Sequence, residues 1–406
     1  MWKVFVLCMA AAVFWGADSR PKVRAITAFI KMDAAHMDAQ VGDAVQFLNT
    51  AREEYKAAGF EVESIRLVPQ PLAEYTRGMK HADALALLKK YGELASKLDF
   101  TPNMGAILVD GDEGHTVVDL AIDALATMRI NGSLVVAAEN GIHWSAIREA
   151  ARLVKAVEAK SSNGGGNLNF ATSAMVKPYC PFYPAAWHKS EGKVFAVGLE
   201  SANVVTDVFA TVHEAGPAED KLAQALTKHL LQAEAAAARI AAKSGWTYAG
   251  IDPTPAPLGD VSIARAIENF TGAPFGAGGT MTAAGMITRA VQSTPVKHVG
   301  YSGLMVPVLE DNLLAKRWAE GTFNIDSLLA YLAVCAGGLD TVPLPGDISE
   351  EQVARILGDV ASLAYKWKKP LAARLLPAPG KHAGDHTEFS DSRMANTTVP
   401  KLPGVR

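Results

Sequence analysis

Val23-Arg24-Ala25-Ile26-Thr27-Ala28-Phe29-Ile30, with the helical run 39–58 and its stop at Gly59 behind it, decides the fold class. The first segment is rich in β-branched and aromatic residues and reads as a strand. The second carries apolar residues at helical spacing and ends on the residue that most easily terminates a helix. The grammar then repeats. Residues 61–68 read as a strand and 82–98 as a helix, 106–109 as a buried strand and 117–128 as a helix, 134–138 as a strand and 144–160 as a helix. Strand–helix alternation predicts a mainly parallel sheet with helices outside it, because parallel neighbours need crossovers of this length.

Beyond the loop Ser161-Ser162-Asn163-Gly164-Gly165-Gly166, which reads as flexible, the pattern is less regular. Residues 168–176 and 194–198 read as strands, 218–244 as a long Ala-rich helix, and 261–270 and 281–291 as shorter helices. Residues 299–308 read as a strand, 310–319, 325–334 and 350–368 as helices, and 371–376 as a last strand before an irregular tail. No Pro- or Ser-rich linker separates the halves, so residues 21–406 are expected to form a single domain.

The chain has 406 residues, 49% apolar and 20% charged, with a net charge of −3 and both signs interspersed. The basic stripe of a nucleic-acid binder is missing, and a small-molecule ligand is the expected partner. Lys3 precedes the apolar run 4–15, which is short for a bilayer span and suits a secretory leader. Residues 1–20 are therefore read as a signal peptide, with an imperfect cleavage signal at Trp15 to Ala17, and the protein as exported or periplasmic, with no stable membrane span once the leader is removed. The alternative is an apolar N-terminal strand or a mis-called start codon, and a protein without a working leader would be cytoplasmic. Of three cysteines Cys8 lies in that leader, which leaves Cys180 and Cys335, expected to be free thiols in a core this large.

Functional loops of parallel α/β sheets leave the carboxyl ends of strands, and that rule selects the candidates. Asp110-Gly111-Asp112-Glu113-Gly114-His115 offers oxygen ligands to a divalent cation, or a cap to the following helix. Asp252 sits in Gly250-Ile251-Asp252-Pro253-Thr254-Pro255, where the prolines fix its direction, as suits a general base, a substrate anchor or a solvated turn. Gly276, Gly278, Gly279 and Thr280 open a helix whose free N–H groups can cradle an anion, with close backbone packing as the plainer explanation of the glycines. Glu310 and Asp311 end the expected strand 299–308 as an acid/base pair or a helix cap.

The stretch 335–347, Cys-Ala-Gly-Gly-Leu-Asp-Thr-Val-Pro-Leu-Pro-Gly-Asp, reads as a shaped loop carrying a thiol and two carboxylates. Cys335 is a candidate nucleophile, although it ends an apolar helix, where the dipole disfavours a thiolate. Asp340 and Asp347 are stronger site candidates. His382, Asp385, His386 and Glu388 in the tail form a candidate metal cluster or a polar surface. No His-Glu-x-x-His, paired Cys-x-x-Cys or nucleophile-elbow motif is present.

Several motifs recur in one order: Val23-Arg24-Ala25-Ile26-Thr27, Pro181 to His188, Gly250-Ile251-Asp252, Pro274-Phe275-Gly276, Gly300-Tyr301-Ser302-Gly303 with Pro307 to Asp311, and Cys335 with Gly338-Leu339-Asp340 and Pro345-Gly346-Asp347. Together they resemble the family called domain of unknown function 711, from about residue 22 onward. The resemblance implies a single large α/β barrel of about ten strands, similar to that of pyruvate formate-lyase, with helices outside. It does not carry the glycyl-radical chemistry. The tail Gly384-Asp385-His386-Thr387-Glu388-Phe389 lacks the loop that would store the radical.

The leading expectation is an enzyme acting on a small polar or anionic metabolite by acid/base or metal-assisted chemistry, without a glycyl radical. Asp252, Glu310, Asp311, Cys335, Asp340 and Asp347 are its candidate catalytic groups, and Gly276, Gly278, Gly279 and Thr280 its anion cradle, with a divalent metal as candidate cofactor. A non-catalytic binding protein using the barrel mouth and a partner-activated radical enzyme are the alternatives. A homo-oligomer is compatible with each.

Overall fold

The computed structural model describes residues 20–109, 114–189 and 192–403. The leader up to residue 19, and Asp110, Asp112 and Glu113 of the acidic turn, lie outside the described residues. The first half follows the expected alternation. It runs β1 (Lys22–Ile30), α1 (Met37–Ala57), β2 (Ile65–Pro69), a short α2 (Leu72–Tyr75), α3 (His81–Leu98), β3 (Thr101–Ala106), α4 (His115–Thr127), β4 (Asn131–Ala138), the short β5 (Gly141–Ile142) and α5 (Trp144–Lys160). Strand β3 lies earlier than expected. Residues 107–109 follow it and still pair irregularly, with Ile107 N donating to Ser133 O and Val135 N to Leu108 O.

The loop 161–166 is a 3-10 helix, Ser162–Asn169, in which Asn163 and Gly164 adopt left-handed backbone. The chain continues through β6 (Phe170–Ala174), β7 (Val194–Glu200), α6 (Ala202–Phe209), α7 (Ala215–Ser244), β8 (Thr247–Asp252), α8 (Ile263–Thr271) and α9 (Thr280–Gln292). It ends with α10 (Asn312–Ala319), α11 (Ile325–Tyr331), β9 (Gly337–Pro345), α12 (Glu350–Trp367) and β10 (Leu371–Ala378).

Two expectations are corrected here. The stretch 335–347 is mostly strand, not loop. Its Gly338, at φ +98°, lies so close to β10 that a Cβ there would stand 1.8 Å from Ala372 O. Glycine in this position serves a close backbone approach. The expected strand 299–308 is irregular: a parallel bridge joins Ile251 to His298 just before it, and within it Pro307 bridges Asp340, also in parallel.

The sheet runs β8-β7-β1-β2-β3-β4-β6-β10-β9, with β5 paired to β4 off this path. Neighbours are parallel except at β1/β7, β6/β10 and β4/β5. The path is open, with β8 and β9 at its ends. One face packs its aliphatic residues, Ile26, Leu67 and Leu134 among them, into the main core with the helices. The other face covers the connection between β6 and β7. Cys180, Phe182 and Ala185 of that connection pack with Ala171, Tyr301 and Ala372, and Ala186 packs with Phe29, Val68 and Ala196. The connection is tied to three strands: Thr27 Oγ1 donates to Pro181 O at 2.9 Å, the Tyr183 side chain through Oη to Leu67 O at 2.9 Å, and Asn103 Nδ2 to Pro184 O at 3.3 Å. These bonds satisfy groups that would otherwise be costly to bury.

Candidate functional site

A cavity of about 260 Å³ opens where the amino ends of β1–β4 meet the carboxyl side of β9 and the segment after β8. Four arginines line it, Arg24, Arg66, Arg374 and Arg393, with the carboxylates Glu63, Glu310 and Asp340. Phe182, Ala256, Pro257, Leu258 and Met305 supply apolar wall.

Irregular pairing aims several of these groups. Between β1 and β7 the register shifts at Arg24, which is left opposite no residue of β7. Between β9 and β10 it shifts again, so that Asp340 and Thr341 together oppose Arg374. Thr341 has φ +45°, and its Oγ1 accepts from Leu309 N. Bulges of this kind re-aim side chains next to functional sites.

Arg374 is buried and shared. Its Nε lies 2.6 Å from Asp340 Oδ1 and its Nη2 2.8 Å from Glu310 Oε2. The two carboxyls respond in opposite directions. Burial, reinforced by the charge of Glu310, pushes Asp340 above the usual carboxylate range despite Arg374. Burial also acts on Glu310, but Arg374, Arg24 and Arg393 together hold it below that range.

Arg24 forms a second cluster, 3.3 Å from Glu63 and 3.1 Å from Glu200. Burial and the neighbouring Glu63 raise the Glu200 carboxyl to about 7, against the pull of Arg24. Arg393 pairs with Asp391 at 2.8 Å.

Arg66 differs. Its Nε donates to Ser64 Oγ at 3.1 Å, its Nη1 to Pro181 O at 3.4 Å, and its guanidinium lies 4.8 Å from the centre of the Tyr183 ring. Among the described residues no carboxylate stands within ion-pair distance of it. Burial, with Arg24 and Arg393 nearby, lowers its pKa to about 10.

Of the sequence candidates, Glu310 and Asp340 meet in this cavity, whereas the others lie outside its lining. Asp252 is fully buried and joins two loops, accepting from Thr254 Oγ1 at 2.5 Å, Tyr301 N at 2.7 Å and Ser302 N at 3.0 Å. Burial raises its pKa, and those donors hold the rise in check. Asp311 caps two helices at once. It accepts from Leu313 and Leu314 at the start of α10, and from Ser262 Oγ, Ile263 N and Ala264 N at the start of α8. Asp347 is partly exposed and contacts His382 Nδ1 at 2.9 Å.

Cys335 is buried in the main core, where burial pushes its thiol up to about 12. Cys180 is buried too, and both cysteines are free. At the start of α9, Gly276 N donates to Thr280 Oγ1 at 3.0 Å, and a Cβ on Gly276 would meet Thr322 O at 2.2 Å. Gly276 and Thr280 thus pack against their own chain, whereas Gly278 is exposed, with open space where a Cβ would stand. Among the described residues, no three His, Cys, Asp or Glu side chains gather where they could hold one metal ion, the tail group included. No helix among them is long and apolar enough to cross a membrane.

Arg24, Glu63, Arg66, Arg374 and Arg393 are the charged cavity residues that the sequence did not single out. The carboxyl-end rule looks only along one strand direction. Here β1 and β2 run opposite to β9 and β10, so the same mouth takes its arginines from the amino ends of β1 and β2. A charged residue inside an otherwise apolar strand, as in Val23-Arg24-Ala25 or Ile65-Arg66-Leu67, was the available signal.

Comparison with known proteins finds relatives along most of the chain. The chain is 29% identical over 409 residues to a UPF0210 protein of Methanopyrus kandleri, covering 90% of this chain and 88% of that one. It is 28% identical over 345 residues to a UPF0210 protein of Pyrobaculum arsenaticum, covering 80% and 76%. A UPF0210 protein of Limosilactobacillus reuteri is 28% identical over 357 residues, covering 82% and 77%. The family model described as Uncharacterised ACR (DUF711) matches residues 17–391, and the chain belongs to that family.

Proposed function

We propose that this protein is an enzyme that binds a small polar or anionic metabolite in the arginine-lined cavity and moves a proton on it, without a glycyl radical. The carrying observation is the sharing of Arg374 by Glu310 and Asp340, which divides two neighbouring carboxyls into unlike roles. Glu310 serves as the fixed anion that holds Arg374. Asp340, with its raised proton affinity, is the acid/base group, and Arg374 stabilises its carboxylate once the proton has gone to the ligand. A plain receptor pocket has no need of such a division.

The same reading treats the sheet as a ten-stranded barrel, related in form to that of pyruvate formate-lyase. Segment 297–308 supports this, because it bridges in parallel to both ends of the open path. With it, β1, β2, β3, β4 and β6 run one way and β7, β8, 297–308, β9 and β10 the other. Export belongs to the proposal as well, and mass spectrometry of the mature protein would show it as loss of the leader.

Purified wild-type protein and Asp340→Asn, each incubated with a cell-derived small-molecule extract and profiled by mass spectrometry, test the catalytic claim. At least one metabolite should be depleted by the wild type and spared by the variant. Equal depletion by both proteins, or by neither, counts against it.

A further inference from the structure

We infer that Arg66 is the seat of a ligand carboxylate, and that the cavity takes a small monocarboxylate. The inference rests on the reading of the cavity as a metabolite site and specifies which metabolites fit.

The argument begins with charge pairing around the cavity wall. Arg374 already carries Glu310 and Asp340, Arg24 carries Glu63 and Glu200, and Arg393 carries Asp391. Among the described residues Arg66 has no ion-pair partner: it bonds the Ser64 hydroxyl and the Pro181 carbonyl and lies against the Tyr183 ring, with the cations Arg24 and Arg393 nearby. A half-buried guanidinium without a counter-charge carries a desolvation cost, and an anion from solution relieves it.

Geometry agrees with the charge count. A guanidinium has five N–H donors. Nε and one Nη1 hydrogen are occupied, which leaves the Nη1–Nη2 edge with donors for a bidentate partner. The Tyr183 ring lies against the guanidinium, its centre 4.8 Å from the guanidinium carbon, and limits how it can move. The ring itself is immobilised, because Tyr183 Oη donates to Leu67 O at 2.9 Å and lies 3.3 Å from Thr101 O.

The rest of the cavity limits the ligand. The fork of a single unpaired guanidinium matches one carboxylate, so a planar monoanion suits it better than a phosphate dianion. A volume of about 260 Å³ falls below the roughly 300–1,000 Å³ of sites for drug-sized ligands. Phe182, Met305 and Pro257 provide apolar surface for a short carbon body, and Asp340 stands ready for a polar group at its other end.

The test uses the full chain and three probes, propionate, propionamide and inorganic phosphate, followed by ligand-observed NMR and calorimetry. Wild type should bind propionate at least about tenfold more tightly than the amide or phosphate, and Arg66→Gln should lose about tenfold for propionate, since one charge-assisted bidentate contact is worth at least that much. Arg66→Lys should recover only part of the loss, because it returns the charge without the fork. If Arg66→Gln fails to fold, judged by circular dichroism, the amide and phosphate comparisons on wild type decide. Propionate binding unchanged in Arg66→Gln, or phosphate preferred by wild type, overturns the carboxylate seat and leaves the wider reading intact. Failure of wild type to bind either anion at millimolar concentration overturns both.

Discussion

Arg374 on β10 and Asp340 on β9 face each other across a break in register, Nε to Oδ1 at 2.6 Å, with Glu310 on the other side of the same guanidinium. All three side chains are buried. Removing the cation strands two anions. Arg374→Met should lower stability by about 3–5 kcal/mol in denaturant titrations, the range for breaking a buried ion pair from one side. Adding Glu310→Gln and Asp340→Asn should recover much of that loss. A single variant that loses less than about 1 kcal/mol would show that the cluster is hydrated rather than buried.

Asp311 offers a second measurable dependence. One carboxylate accepts from the starts of both α8 and α10. A helix cap is typically worth about 0.5–2 kcal/mol, so Asp311→Ala, which removes two, should cost about 1–4 kcal/mol. Ser349→Ala, which removes the cap of α12 at an exposed position, should cost about 1 kcal/mol. Equal losses in the two variants would mean that Asp311 serves only one helix.

Glu200 sets a pH dependence. Its folded pKa of about 7 lies above the ordinary 4.5, so the native state holds its proton more tightly than the unfolded chain does. The stability gained in this way is complete below about pH 4.5 and fades as pH rises through 7. Its full size is at most about 3 kcal/mol, taking 1.36 kcal/mol for each unit. Urea midpoints compared at pH 5 and pH 8 should therefore fall further for wild type than for Glu200→Gln. Parallel declines would remove Glu200 as the titrating group.

The thiols should be silent in the folded protein. Burial holds Cys335 near 12 and raises Cys180 as well, so little thiolate exists at neutral pH. Neither residue should be labelled by a disulfide reagent until denaturant is added, as read by peptide mapping. Cys335→Ala should keep ligand binding and lose only packing. Rapid labelling of Cys335 in native protein would return it to the list of nucleophiles.

Much of the fold was legible because the first half obeys local rules. Helix α5 begins and ends at the expected residues, and β1, α1, α3 and α4 fall within a few residues of expectation. The misreadings have physical causes. Gly337-Gly338 and Pro343 and Pro345 mark loops in isolation, yet β9 uses Gly338 for its approach to β10 and places its prolines at the end of the paired path. Strand β8 was hidden because its end, Gly250-Ile251-Asp252, was read with the prolines after it. Asp340 and Glu310 were found because loop signals and acidity coincided there. Arg24 and Arg66 were missed because their meaning depends on strands running in opposite directions, which local pattern does not reveal.

The connection between β6 and β7 has a consequence for selectivity. Phe182 and Tyr183 form part of the cavity wall, and their neighbours are bonded to β1, β2 and β3. A surface anchored in this manner is no swinging gate. Little conformational freedom remains to be surrendered when a guest arrives. Discrimination among metabolites then falls to rejection by a stiff mould, and a misfit is turned away before chemistry begins.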